Sequence, residues 1–80
     1  MCGIIGITSS KPVSSAIINS LRKLEYRGYD SAGIATLSNG VINEVKSEGR
    51  VDNLEKNLAI KSMIGVVGIG HVRWATHGAP

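Results

Sequence analysis

The succession of local signals along this chain predicts an α+β fold in the order β-α-β-β-α-β, and three observations carry that expectation. The core must be aliphatic, because 80 residues include no Phe and only Tyr26, Tyr29 and Trp74 as aromatics, against ten Ile and seven Val. β-Branched residues at that density favour pleated strands. One segment breaks the strand-like pattern: Val13, Ile17, Leu21 and Leu24 recur at spacings of four, four and three, which is one stripe of an amphipathic helix. Finally, Asn39-Gly40 separates two β-type runs, the strongest short-range signal for a hairpin.

The elements follow in order. Cys2 to Thr8 is a short apolar run bounded by Ser9-Ser10-Lys11-Pro12 and suits a buried strand. Gly3 and Gly6 within it point to a close approach by another backbone or a ligand. Pro12 stands where a helix can begin, and Gly28 where it can stop. Asn19, Ser20, Arg22 and Lys23 turn away from the apolar stripe. Ser31 to Leu37 reads as the second strand. Val41 to Glu48 alternates, with Val41, Asn43 and Val45 on one face and Ile42, Glu44 and Lys46 on the other, as a half-exposed or edge strand does. Asp52 and Glu55 fit a capping box for a second helix through Ile60, with Leu54 and Leu58 on its buried face. Val66 to Val72 is a glycine-rich last strand, running into Arg73-Trp74-Ala75-Thr76-His77-Gly78 and Pro80.

Composition narrows the function. A hydrophobic fraction of 42% with 19% charged residues is a globular mixture, not a disordered one. The net charge of +3 permits a nucleic-acid partner, but the nine basic residues are scattered and no aromatic ladder interleaves them, so none is expected. A single cysteine excludes an intramolecular disulfide and leaves no CxxC pair for zinc, so no metal is expected and a cytoplasmic location is the default. The longest apolar stretch, Met63 to Gly70, is eight residues, against about 20 for a membrane span. No basic residue precedes the apolar start, as a signal peptide would require.

Three places carry chemistry. If Met1 is removed, Cys2 presents a thiol beside a free α-amine, and an amine titrating at about 7.7–8.0 can take the thiol proton and return it to a leaving group. The same cysteine could instead be a small buried hydrophobe. Arg73 follows an apolar strand directly and offers a rigid fork for a carboxylate. Trp74 adds a plate able to cover a pocket, while Thr76, His77 and Gly78 add polar groups and a pliant backbone, although a plain solvated strand exit has the same composition. Glu25 to Ser31 sets two tyrosines and opposed charges around Gly28, readable as a capped turn with an Arg27–Asp30 pair. His71 and His77 lack partners at metal-ligand spacing, and the glycines at 65, 68 and 70 run in the wrong order for a dinucleotide fingerprint. The chain closes two residues after its most chemically loaded segment, which suggests that a supporting shell lies further on.

Met1-Cys2-Gly3-Ile4-Ile5-Gly6-Ile7, Leu24-Glu25-Tyr26-Arg27-Gly28-Tyr29-Asp30-Ser31-Ala32-Gly33 and Gly70-His71-Val72-Arg73-Trp74-Ala75-Thr76-His77-Gly78 together resemble the start of the class II glutamine amidotransferases, and within them the glucosamine-6-phosphate synthases. The likeness covers essentially the whole chain. It implies part of a four-layer α/β/β/α N-terminal nucleophile (Ntn) hydrolase fold, whose glutaminase takes L-glutamine and releases ammonia without a cofactor. By that resemblance Cys2 is the nucleophile and its own α-amine the base. Arg73 grips the substrate α-carboxylate, Thr76 and His77 line the pocket, Trp74 belongs to a loop closing over it, and Arg27 and Gly28 form a turn supporting the nucleophile. The Asn-Gly pair of the oxyanion hole, the acidic clamp for the substrate α-amine and the sugar-phosphate isomerase domains that accept fructose 6-phosphate have no counterpart in these residues. The chain is thus expected to be an incomplete N-terminal portion of a glutaminase domain, inactive alone. A non-catalytic remnant of a decayed or split gene is the competing expectation, and a small thiol hydrolase pairing Cys2 with His77 is a third.

Overall fold

The computed structural model describes residues 3–24, 30–57, 60 and 62–73. Its elements are β1 (Gly3–Thr8), α1 (Ser14–Leu24), β2 (Ser31–Ser38), β3 (Val41–Glu48), α2 (Val51–Glu55) and β4 (Val67–Arg73), the β-α-β-β-α-β order that the sequence predicts. The four strands form one antiparallel sheet in the order β1-β4-β2-β3. The last strand therefore lies between the first two, and β3 is an edge, as its alternating pattern implies. Ser38 pairs with Val41 across the hairpin, and Asn39 and Gly40 take φ of 51° and 76°. Positive φ at both central residues is the type I′ geometry whose twist matches the strands.

Successive strand residues point to opposite faces, so the register sorts the sheet into two surfaces. Ile5, Ile7, Ala32, Ile34, Thr36, Val45, Gly68, Gly70 and Val72 share the face on which α1 packs. Val13, Ile17, Ile18 and Leu21 of the helical stripe are buried there, with Leu24 half-buried at its end. The expected start at Pro12 moves inward: Val13 is the first residue whose carbonyl accepts a helical hydrogen bond, from the Ile17 N–H at 2.9 Å. The glycines of β4 make this packing possible, since a Cβ on Gly68 would sit 2.9 Å from Ile17 Cδ1 and one on Gly70 would run into Ile17 Cγ2. At β1 the close approach at Gly3 is to a side chain, with Leu24 Cδ1 2.9 Å from a built Cβ, whereas Gly6 has ordinary room.

The second helix departs from expectation. It spans Val51–Glu55 alone, with Arg50 as its N-cap and no side-chain capping hydrogen bond. Burial of Val51 as the first helical residue puts Asp52 inside the first turn, where its carboxylate cannot cap; it accepts a hydrogen bond from Arg22 of α1 instead. Beyond Glu55 the chain tightens: the N–H groups of Asn57, Ile60 and Met63 donate to the carbonyls of Leu54, Asn57 and Ile60 at 3.1–3.2 Å. Leu54, Ile60 and Met63 are buried in the core, while Asn57 is exposed. Leu58 lies outside the described residues.

Among the described residues no helix packs on the other sheet face. Ile4 and Ile42 are 75% and 70% exposed there, alongside Leu37, Val67 and Ile69. Leu37, Ile42, Val67 and Ile69 occupy one end of the face; Ser31, Lys46, Glu48, His71 and Arg73 occupy the other, where Ile4 stands opposite His71.

Candidate active site

The polar end of the open face is built by strand alternation. Val72 is fully buried between Gly3 of β1 and Ala32 of β2, so its neighbours His71 and Arg73 must both point to the face without helices. Arg73 pairs with Ser31 and His71 with Gly33. The end of β4 is stitched to its surroundings through the backbone: the Asp30 N–H donates to the Arg73 carbonyl at 2.9 Å, and the Gly49 N–H donates to the Asp30 carbonyl at 2.6 Å. Gly49, at φ 87°, makes the turn that brings the end of β3 into this chain of bonds.

These residues enclose an open pocket of about 500 Å³ lined by Ser31, Lys46, Glu48, His71 and Arg73, with Ala32 and Ser47 at its margin. Arg73 and His71 are half-buried. Lys46 stands on the far wall, 3.5 Å from Glu44 on its own strand. The lining mixes the cations Arg73 and Lys46 with the Glu48 carboxylate and the His71 imidazole, and the planar fork of Arg73 is the group suited to a carboxylate. Among the described residues no group of three His, Cys, Asp or Glu could hold a metal ion. No helix among them is long and apolar enough to cross a membrane.

Of the seven residues that the sequence marks as candidates, Arg73 lies within the described structure, at the pocket. Cys2, Arg27, Gly28, Trp74, Thr76 and His77 lie outside the described residues. One of them, Cys2, is nonetheless joined through the chain to a described strand. Gly3, the chain neighbour of Cys2, is the direct cross-strand partner of Val72, the chain neighbour of Arg73. His71, Lys46 and Glu48 are site residues that motif reading passed over. His71 could have been found from β4 alternation, which puts it on the face of Arg73; Lys46 and Glu48 required the pairing of β3 with β2.

No family model matches the chain. Its sequence is 54% identical over all 80 residues to the glutamine–fructose-6-phosphate aminotransferase (isomerizing) of Agrobacterium fabrum, 58% to that of Brucella abortus and 55% to that of Clostridium acetobutylicum. Each match takes in the whole chain but 13% of the relative, at its N-terminal part. Two solved structures superpose closely: the glutamine phosphoribosylpyrophosphate amidotransferase of B. subtilis, with a TM-score of 0.82 over 96% of this chain, and an allosteric regulatory enzyme of purine biosynthesis, with 0.84 over 99%. Both are 26% identical to it, and it covers 17% of either. Sequence over its full length and fold over nearly all of it thus make this chain a relative of the N-terminal part of the glutamine amidotransferases, with the Ntn fold of their glutamine-handling domain.

Proposed function

We propose that these residues supply the nucleophile and the carboxylate grip of a glutaminase, and that the ammonia they help to release serves the formation of an amino sugar phosphate from fructose 6-phosphate elsewhere in a longer protein. The observation that supports this most is the pairing of Gly3 with Val72, which joins the strand that follows Cys2 in the chain to the strand carrying Arg73. The whole-length identity to the aminotransferases supports the choice of reaction.

The chemistry is that of an N-terminal thiol. With Met1 removed, the Cys2 α-amine takes the thiol proton and Sγ attacks the carboxamide carbon of L-glutamine. The tetrahedral adduct expels ammonia, to which the α-amine returns the proton, leaving a γ-glutamyl thioester. Water, deprotonated by the same amine, attacks the thioester and releases glutamate and the thiol. Arg73 holds the α-carboxylate in a bidentate pair, which fixes the carboxamide relative to the sulfur. Trp74, Thr76 and His77 wall the substrate, and the Arg27-Gly28 turn supports the nucleophile. No cofactor enters.

Oxyanion stabilisation is the part that such a site needs and that these residues do not supply; one donor alone is worth about 10² to 10³ in rate. The 80-residue chain is therefore expected to show no glutamine-dependent ammonia release, whereas a chimera continuing from it into the segment that follows in the Brucella abortus relative is expected to turn over. In that chimera intact mass should show Met1 removed and one adduct from a glutamine-like electrophile. Cys2→Ala should abolish both adduct and ammonia, and Arg73→Lys should raise KM more than it lowers kcat. Turnover by the 80-mer, or normal hydrolysis by the Cys2→Ala chimera, would overturn the reading.

A further inference from the structure

We propose that the start of α1 is a binding site for a phosphate group, free or carried as a phosphomonoester, held by the N–H groups of the first helical turn, the Ser14 hydroxyl and the Lys56 ammonium. The helix begins without a cap. Val13 stands at its N-cap position, apolar and 1% exposed, and can accept nothing through its side chain. Its own N–H is taken by the Gly65 carbonyl at 3.0 Å, which pins the helix start to the segment before β4. The N–H groups of Ser14, Ser15 and Ala16 have no acceptor among the described residues, and no acid stands in the first turn. The positive end of an 11-residue helix is thus left uncompensated, with donors that an oxyanion can take up.

A second observation points to a ligand at the same place. Ser14 belongs to the buried stripe of α1 and is only 8% exposed, yet its hydroxyl has no hydrogen-bond partner among the described residues. It is not sealed in the core as the Thr36 hydroxyl is, because Ser14 lines an open groove of about 660 Å³. A serine buried this far without a partner is costly unless something in the groove completes it. Lys56, at the end of α2, lines the same groove and supplies a cation. Glu55 also lines it, but its carboxylate is held by Arg22 at 2.7 Å and is neutralised there. Buried Met63 and exposed Ile64 form an apolar flank on which the carbon body of an ester can rest. The groove lies on the helical side of the sheet and Arg73 on the open side, so this inference goes beyond the glutaminase reading and does not depend on it.

The test is a titration of the isotope-labelled 80-residue chain with inorganic phosphate, followed by nuclear magnetic resonance. It is run at about pH 8, where the ligand is largely a dianion, with sodium chloride withdrawn to keep ionic strength constant. Saturable shifts are expected at the amides of Ser14, Ser15 and Ala16. Ser14→Ala removes a hydroxyl that no described group uses, so it should keep a dispersed amide spectrum and weaken binding about tenfold. Lys56→Gln should weaken binding and flatten its dependence on salt. Ser15→Asp sets a carboxylate at the same N–H groups and should abolish binding. Phenyl phosphate binding more tightly than inorganic phosphate would assign the groove to an ester lying along Met63 and Ile64, and equal affinities would assign it to the free ion. Shifts that never saturate, or an affinity unchanged in Ser14→Ala, would overturn the proposal. Should Ser14→Ala not fold, Lys56→Gln decides, and an unchanged affinity in it overturns the proposal equally. Should the 80-residue chain itself need the continuation to fold, the chimera carries the same titration under the same criteria. None of these readouts involves glutamine, so failure here and failure of the glutaminase reading are told apart.

Discussion

Thr36 shows how a single atom can oppose the fold that contains it. It sits on the helix-facing side of β2, 1% exposed, and its Oγ1 has no hydrogen-bond partner among the described residues. A buried hydroxyl left unsatisfied costs about 1–3 kcal/mol, while an apolar group of the same shape costs nothing of the kind. Thr36→Val is accordingly expected to stabilise the chain by about 1 kcal/mol, read as a higher urea midpoint with unchanged slope; a lower midpoint would mean that the hydroxyl is satisfied in solution. Gly33 and Gly70 make the complementary point. Each is defined by what its missing side chain admits, an imidazole on one face and Ile17 on the other. A glycine in a strand signals a close approach, but which face each one serves follows only from the register.

At the scale of elements, α2 is the instructive case. Its five residues are too few to hold a helix by themselves, since isolated helices below about 12 residues are marginal in water. Two things keep it: the burial of Val51 and Leu54, and the clamp in which Arg22 of α1 reaches Asp52 at 3.1 Å and Glu55 at 2.7 Å. The Asp52 hydrogen bond, followed by that of Glu55, holds the Arg22 guanidinium pKa above its ordinary value. A raised basic pKa means that the contribution is complete below the unfolded value and is lost only as pH climbs through the folded one, far into alkali. Arg22→Ala should therefore cost under about 1 kcal/mol, the cluster being exposed and screened. That cost should be the same at about pH 6 and pH 9 and shrink in high salt, as urea melts under each condition would report. A penalty that changed between those two pH values would mean that the clamp is not what Arg22 contributes. The two acids that sequence reading assigns to a capping box are thus spent on Arg22 of α1, 30 residues before Asp52, which no local pattern announces.

For the whole molecule, the open face of the sheet is the dominant feature. Leu37, Ile42, Val67 and Ile69 stand side by side as a band at one end of this face, all exposed, with exposed Ile4 diagonal to Ile69 across the sheet. Exposed apolar surface of that kind drives association. Ile69, at the centre of the band and 56% exposed, is the sensitive position. Ile69→Lys should lower the concentration-dependent light scattering of the 80-residue chain while moving its stability by no more than about 0.5 kcal/mol. Unchanged scattering would show that the band does not govern association.

Much of the molecule was legible before any coordinates. The helical stripe, the Asn39-Gly40 turn, the edge character of β3 and the order of elements depend on contacts within a few residues, and local periodicity records those. The motif blocks around Cys2 and Arg73 were legible too, as a resemblance that whole-length identity to the aminotransferases bears out. Other features belonged to tertiary structure alone: β4 inserted between β1 and β2, the joining of Gly3 to Val72, the seat of His71 on Gly33, and the pocket that draws Lys46 and Glu48 from one strand and Arg73 from another. The reason is physical. Which strand lies beside which is decided by burying the α1 stripe on one continuous apolar face, a sum over residues far apart in the chain, and no short window of sequence contains that sum.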